Sequence, residues 1–163
     1  MDILSAGYSE YRADGGDCLE AERRQVVILF ADMVGFTAFS ERFGEEAAFG
    51  LIQRLSQIVE GAVEVEGARV HNIAGDGMVV AFGAPIAVED APLRACRAAL
   101  LILETLRAAG IDFEVKYAVR PQMRIGINVG SAVVGQLLLG GETGLSVLGD
   151  TVNVAAQIGR AHV

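Results

Sequence analysis

The feature that most constrains the fold is a continuous run of apolar, largely β-branched residues near the N-terminus. The run extends from Gln25 to Ala31, reads QVVILFA and ends at Asp32. Strands that are apolar on both faces are typical of the centre of a sheet that is covered on each side. The sequence therefore predicts a buried central strand with Asp32 at its end.

Helical and strand-like patterns alternate after this strand. Apolar residues recur at helical spacing over 48–62, which predicts an amphipathic helix that ends near Gly67. Two short strand-like runs follow, at 68–73 and 78–82. The turn-forming triplet Gly-Asp-Gly between them predicts a hairpin with Asp76 at its tip.

The second half of the chain repeats this alternation. An alanine- and leucine-rich segment over 87–109 predicts a second helix. One stripe of this helix predicts its buried face: Leu93, Cys96, Ala99, Leu100 and Leu103. The runs 123–129 and 132–138 predict a further pair of strands with Gly130 at the turn, and a final helix is predicted from Val152.

The predicted order of elements, βαββαββ followed by a helix, decides between two fold classes. It favours an α+β fold, with a ferredoxin-like or palm βαββαβ sheet and helices packed on one face. A doubly wound parallel sheet is the alternative. However, no GxGxxG motif follows the first strand, and the hairpins are too tight for parallel crossovers.

Size, charge and cysteine content limit the classes of function. A chain of 163 residues with 52% hydrophobic content is sufficient for one domain with a single core. The net charge is −8, and Lys116 is the one lysine against 21 acidic residues, which argues against nucleic acid and anionic membranes as partners. Cys18 and Cys96 form no metal-binding pattern, and we interpret them as unpaired thiols of a cytoplasmic protein.

Three segments are distinguished along the chain. Residues 1–21 lack periodicity and are interpreted as a flexible leader, without the apolar stretch of roughly 20 residues that crosses a membrane. A single domain is predicted over 22–157. Residues 158–163 are interpreted as a non-native tail, because IGRAHV is encoded in frame by ATC GGA AGA GCA CAC GTC, the start of a common sequencing adapter. The authentic residue at 157 is then open, since the preceding AG of the adapter completes a glutamine codon.

Two aspartates lie where the predicted strands bring them to one edge of the sheet. Asp32 ends the central strand, and Asp76 stands at the tip of the neighbouring hairpin. Carboxylates in this arrangement can share Mg²⁺ or Mn²⁺, which are hard cations that take triphosphate oxygens as further ligands. For each aspartate alone, a turn-forming or strand-capping role is the alternative.

The segment from Met33 to Thr37 is suited to bind an anion. It follows Asp32 directly and opens a helix, so its backbone N–H groups and the helix dipole point at whatever the aspartates hold. A strand, a glycine and a helix start are a weak signal on their own. The metal-type aspartates on either side strengthen it.

Four segments, taken in order, resemble one enzyme family. ERRQVVILFADMVGFTAFSE resembles the opening of the class III adenylate/guanylate cyclase catalytic domain, and HNIAGDGMVVAFGAP resembles its metal-binding hairpin. MRIGINVGSAVVG and LSVLGDTVNVAA resemble a later strand pair and the start of a helix in this family. The resemblance covers about residues 22–157 and implies a domain that is incomplete at its C-terminus and poorly active in this form.

The resemblance implies an activity, its cofactors and its partner. A nucleoside triphosphate, with ATP favoured over GTP, would be converted to a 3′,5′-cyclic nucleotide and pyrophosphate in intracellular signalling. Asp32, Met33 and Asp76 would hold two Mg²⁺ or Mn²⁺ ions. Two subunits of a head-to-tail homodimer would share each active site. The alternative is an inactive cyclase-homology domain that binds nucleotide or dimerises.

Further site residues follow from the same resemblance. Phosphate groups would be bound by the loop after the first aspartate and by a strand arginine: Val34, Gly35, Phe36, Thr37 and Arg124. A surface role for Arg124 is the alternative. Asn153 would orient the ribose, and Gln157 stands where the family has a catalytic arginine. Asn72 and Ser146 stand where the family has a lysine and an aspartate or threonine that recognise the base.

Overall fold

A single antiparallel sheet organises the part of the chain that the structure describes, which is residues 9–10, 21–139 and 142–161 of a computed structural model. Its strands and helices follow in this order: β1 (Ser9–Glu10), β2 (Glu22–Met33), α1 (Phe36–Phe43), α2 (Glu45–Val65), β3 (Arg69–Ala74), β4 (Gly77–Phe82), α3 (Ala91–Tyr117), β5 (Met123–Leu139), β6 (Glu142–Leu148) and α4 (Asp150–Arg160). Cys18 and most of the predicted leader lie outside the described residues, as do His162 and Val163 of the predicted tail.

The predicted central strand, β2, lies in the middle of the sheet. The strand order is β1-β6-β5-β2-β4-β3, and neighbouring strands are antiparallel throughout. Residues 26–33 of β2 are all buried, because side chains on both faces of this strand are covered. The predicted α+β palm fold is confirmed.

Helices cover the two faces of the sheet unequally. α1, α2 and α3 pack on one face, around buried residues that include Leu29 and Ile102. α4 packs on the other face, around Phe30 and Ala155. The two long helices of the βαββαβ core thus lie on one face as predicted, while α4, which lies outside that core, covers the second face.

The buried face predicted for the second helix is wrong. The buried stripe of α3 contains Ala95, Ala98, Ile102, Leu106, Gly110 and Phe113. The predicted Leu93, Leu100 and Leu103 are instead 50%, 68% and 38% exposed, Cys96 is exposed, and Ala99 is only partly buried. Both stripes have helical spacing. The stripe that contains Ala95 and Ala98 is the buried one, because alanines allow the helix to lie closer to the core.

None of the described helices has the length and apolar character needed to span a bilayer.

The predicted turn at Gly130 is also wrong. β5 passes through Gly130 without interruption, and the strand that follows and pairs with it is β6, which the sequence pattern did not predict. A Cβ at this position would lie 2.5 Å from Oγ1 of Thr151. Glycine is therefore needed here because the first turn of α4 lies directly against the strand, and not because the strand turns.

Gly126 sets the distance between β5 and the C-terminal part of α4. A Cβ at Gly126 would lie 2.3 Å from the carbonyl oxygen of Ala155 and 2.4 Å from the nitrogen of Gly159. Gly126→Ala is therefore expected to lower the free energy of unfolding by about 1–3 kcal/mol, as overpacking usually does. Chemical denaturation measures the change. The control is Gly50→Ala within α2, where a Cβ meets open space and alanine should stabilise the helix by about 0.5–1 kcal/mol. Equal effects of the two changes would contradict the packing argument.

Candidate active site

The end of β2 and the β3–β4 hairpin bring the two predicted metal ligands together. Asp32 pairs with Gly77 across the β2–β4 ladder, and Asp76 is the turn residue before Gly77. The carboxyl group of Asp76 interacts with that of Asp32, and Asp32 is only 4% exposed. Burial raises the pKa of Asp76 to about 6; the neighbouring carboxyl group of Asp32 and its charge add to this rise, while Arg160 opposes it. Asp76 therefore holds its proton to a higher pH than a free aspartate does.

Arg124 lies beside Asp32 on the neighbouring strand. The β2–β5 register pairs the two residues directly, and Nη2 of Arg124 donates to Oδ2 of Asp32 over 3.0 Å. The Arg124 side chain is 29% exposed and the Asp32 side chain 5%. Nε of Arg124 is buried and has no hydrogen-bond partner among the described residues. The residue predicted to bind phosphate therefore contacts a predicted metal ligand.

The loop after Asp32 turns the chain sharply into α1. The N–H of Val34 donates to the carbonyl oxygen of Gln122 over 2.8 Å. Gly35 has a φ of 73°, a left-handed conformation that favours glycine, and α1 begins at Phe36. The backbone amide of Val34 is thus engaged by the fold and is not available to a phosphate group.

The first turn of α1 leaves backbone N–H groups for an anion. The first bond within the helix runs from the N–H of Phe39 to the carbonyl oxygen of Gly35, over 3.0 Å. The N–H groups of Phe36, Thr37 and Ala38 precede this bond and have no partner within the helix. Ala38 was not predicted as a site residue, and its place in the first turn was the available signal.

These residues line one open cleft of about 600 Å³. It contains every predicted metal ligand and phosphate-binding residue together with Ala38 and Arg160: Asp32, Met33, Val34, Gly35, Phe36, Thr37, Ala38, Asp76, Arg124 and Arg160. The described residues that line the cleft do not include Asn72, Ser146, Asn153 or Gln157. One chain therefore brings together the predicted metal and phosphate groups but not the predicted ribose and base groups.

Arg160 reaches the cleft although it belongs to the predicted tail. Its Nε lies 4.0 Å from Oδ2 of Asp32, and its guanidinium carbon lies 5.0 Å from the centroid of the Phe30 ring. Arg160 follows Gln157 by three residues on α4, and this helical spacing could have indicated a second basic group near the site. The non-native origin of residues 158–163 stays a prediction.

α4 carries the two predicted catalytic residues outside this cleft. Asn153 is partly buried and Gln157 is exposed, one turn apart on the same side of the helix. Two hydrogen bonds fix the first turn of α4 on β5. Oγ1 of Thr151 donates to the carbonyl oxygen of Ser131 over 2.9 Å, and Nδ2 of Asn128 donates to the carbonyl oxygen of Thr151 over 3.2 Å. Thr151 was predicted only as a candidate cap of this helix, whereas its hydroxyl bonds to β5 and the N-cap is Gly149. Asn128 was not predicted, although a polar residue within an apolar strand was an available signal.

The two predicted base-recognition residues lie on different strands. Asn72 follows a bulge in β3, and Ser146 lies opposite Gly135 in β6, with β5, β2 and β4 between these strands. Oδ1 of Asn72 is buried, and no described residue donates to it. A buried acceptor is costly to leave unpaired. This atom is therefore suited to accept a hydrogen bond from a ligand or a second chain.

The donor atoms of the cleft suit a hard divalent cation. The described residues contain no group of three or more His, Cys, Asp or Glu side chains placed to hold a metal ion. Two carboxylates and a backbone carbonyl leave several positions of a six-coordinate Mg²⁺ or Mn²⁺ ion to water and phosphate oxygens. The residues therefore fit an ion that is shared with a polyphosphate, and not a closed structural metal site.

Comparison with known proteins agrees with this geometry. The family model of the adenylate and guanylate cyclase catalytic domain matches residues 19–161. Putative adenylate cyclase 3 of Rhizobium meliloti (strain 1021) is 34% identical over 137 residues, which are 83% of this chain and 20% of that protein. The chain spans between 20% and 36% of the length of four curated adenylate cyclases that it matches.

Solved structures of cyclases have the same fold. The adenylyl cyclase CyaB from P. aeruginosa superposes with a TM-score of 0.78 at 22% identity, covering 86% of this chain and 74% of that chain. The guanylyl cyclase Cya2 superposes with a TM-score of 0.75 at 30% identity, covering 86% and 71%. Because the family model matches nearly the whole described chain, the protein belongs to the adenylate and guanylate cyclase catalytic domain family.

Proposed function

We propose that this chain converts a nucleoside triphosphate into a 3′,5′-cyclic nucleotide and pyrophosphate. The observation that carries the proposal is the convergence of Asp32 and Asp76 in one cleft with the first turn of α1. The ribose 3′ oxygen attacks the α-phosphorus in line. The bond from this phosphorus to the oxygen that bridges the α- and β-phosphates breaks, so that pyrophosphate leaves, and the proton of the 3′-hydroxyl passes to solvent. When bound, two Mg²⁺ or Mn²⁺ ions supply charge neutralisation at the attacking and leaving oxygens.

The residues of the cleft divide between metal and phosphate binding. The carboxylates of Asp32 and Asp76 and the backbone carbonyl of Met33 would hold the metal ions. Arg124 and the N–H groups of the first turn of α1 would bind the β- and γ-phosphates, because a guanidinium and a helix N-terminus both favour anions. The triphosphate is thereby held with its leaving group fixed, which favours in-line attack.

A second copy of the chain would complete each site. Asn153 and Gln157 do not line the cleft that contains Asp32 and Asp76, although the resemblance assigns all four residues to one reaction. A head-to-tail homodimer resolves this separation, because α4 of one subunit can face the cleft of the other. In this arrangement Asn153 orients the ribose, and Gln157 offers the α-phosphate a neutral amide instead of a cation.

ATP is the substrate that we favour over GTP. Asn72 and Ser146, the proposed base-recognition residues, are both uncharged. A side-chain amide accepts from the adenine amine and donates to the adjacent ring nitrogen, but when it is turned over it also pairs with guanine. The preference for ATP is therefore supported by the adenylate cyclases among the relatives, and not by the pocket. A role in cyclic nucleotide signalling is proposed on the same basis.

An inactive nucleotide-binding or dimerisation module is the second candidate. It is favoured by the uncharged residues at 72, 146 and 157, where the family has groups that recognise the base or stabilise charge. The enzyme is favoured by the two carboxyl groups that line the same cleft, because a non-catalytic pocket does not need two neighbouring acids, one of them buried.

Rates with ATP, GTP, CTP and UTP test the proposed function. With Mn²⁺ present, this chain or a longer form of the protein that includes it is expected to produce cyclic nucleotide. The kcat/KM for ATP should exceed that for GTP, as expected from the adenylate cyclases among the relatives. A preference for GTP would refute the proposed preference for ATP but not the proposed cyclase activity. Nucleotide binding without turnover in every form would favour the inactive module.

A further inference from the structure

The guanidinium of Arg124 is a counter-ion of the Asp32 carboxylate. Arg124 and Asp32 face each other in the β2–β5 register and share a hydrogen bond of 3.0 Å. A charge-assisted bond of this kind is stronger than a neutral one, particularly where one partner is almost fully buried. The bond engages the same carboxylate that the proposed function assigns to a metal ion.

The position of Arg124 is only partly satisfied by its surroundings. Its Nη2 is paired with Asp32, but its Nε is buried and no described residue accepts a hydrogen bond from it. A buried donor without an acceptor destabilises the arrangement that contains it. Arg124 is therefore poised to move once another cation weakens its bond to Asp32.

Arg160 is a second cation that faces this carboxylate among the described residues. Its Nε lies 4.0 Å from Oδ2 of Asp32, and its side chain is 47% exposed. At this distance and exposure the interaction is ionic and screened by solvent, without the hydrogen bond that Arg124 makes. Both arginines thus place a positive charge near Asp32, but Arg124 is hydrogen-bonded to the carboxylate and Arg160 is not.

We infer that Arg124 is an internal counter-ion that competes with the divalent cation for Asp32 and, once displaced, binds the polyphosphate. This inference rests on the proposed function, because it takes Asp32 as a metal ligand. It makes binding of the metal and binding of the triphosphate cooperative, since the first event releases the group that the second one uses. Removal of Arg124 should then affect the two ligands in opposite directions.

Binding measurements without turnover separate the two effects. Mn²⁺ binding to the 163-residue chain is followed by electron paramagnetic resonance in the absence of nucleotide. Arg124→Gln is expected to tighten Mn²⁺ binding by about tenfold, which corresponds to about 1.4 kcal/mol. In the presence of saturating Mg²⁺, the same change should weaken the binding of inorganic tripolyphosphate by about tenfold, as measured by calorimetry.

Arg160→Gln is the matched control, because it removes the same charge near the same carboxylate but no hydrogen bond. Its effect on Mn²⁺ binding should be under about threefold, as expected for a solvent-screened pair. Unchanged or weaker Mn²⁺ binding in Arg124→Gln, or an equal effect of Arg160→Gln, would overturn the counter-ion role alone. Undiminished Mn²⁺ binding in Asp32→Asn would instead overturn the proposed metal site, and this inference with it.

A measurement on the unmodified protein keeps the inference testable if Arg124→Gln does not fold. The Nε–H resonance of Arg124, assigned by its loss in Arg124→Lys, should shift when Mg²⁺ is added without nucleotide. The shift is expected because the guanidinium leaves a buried position in which no described residue accepts this proton. A resonance that stays unmoved while Mg²⁺ binds would overturn the proposed release.

Discussion

Asp32→Asn is expected to reduce the formation of cyclic nucleotide by at least about 10³-fold, the upper range for loss of one electrostatic catalytic group. Asparagine keeps the shape of the side chain but removes the negative charge that would hold a metal ion. The site has no simple way to compensate, because the β2 ladder fixes Asp32 between Gly77 and Arg124 and only 4% of its surface is exposed. Initial rates with Mn²⁺ and ATP, in whichever form of the protein turns over fastest, measure the loss.

Asp112→Asn is the control for this experiment. It removes the same charge from an exposed position on α3, away from the cleft, and should leave the rate unchanged. Thermal denaturation without metal should show that both variants are folded. A rate for Asp32→Asn within a few-fold of the unmodified protein would refute the metal assignment, whatever the effect on stability.

The convergence of Asp32 and Asp76 could be predicted because its signals are local. An apolar run ending in Asp32 and a Gly-Asp-Gly turn carrying Asp76 each specify one element and its end. The antiparallel topology then requires the two ends to meet, as the pairing of Asp32 with Gly77 demonstrates. Short-range pattern and a simple topology were sufficient here.

The features that were predicted wrongly, or not at all, depend on contacts between elements that are distant in sequence. On α3, two stripes had the same helical period, and packing against the core selected the one with Ala95 and Ala98. At Gly130, a glycine that indicated a turn serves instead to admit Thr151 of α4. The bond between Arg124 and Asp32 likewise depends on strand register, which residue spacing alone does not reveal.

Gln157→Arg is expected to raise kcat by about 10²–10³-fold while leaving KM for ATP nearly unchanged. The resemblance places an arginine at this position, where it would stabilise the negative charge that develops on the α-phosphate in the transition state. A donor that acts mainly on the transition state changes kcat more than ground-state binding, and loss of one such group costs about 2.7–4 kcal/mol in other enzymes. Gln157 is exposed on α4, so a guanidinium fits there without repacking the core.

The control for this gain is Gln53→Arg, which adds the same charge at an exposed position of α2 outside the cleft. It should not change kcat, so a general electrostatic attraction of ATP to an acidic protein can be distinguished from a local effect. The contrary outcome is that Gln157→Arg binds ATP and Mn²⁺ and yet shows no rise in kcat. In that case the lack of a guanidinium at position 157 does not limit the rate. The uncharged residues Asn72 and Ser146 would then be the stronger reason for low activity, and the nucleotide-binding module would become the better description of this domain.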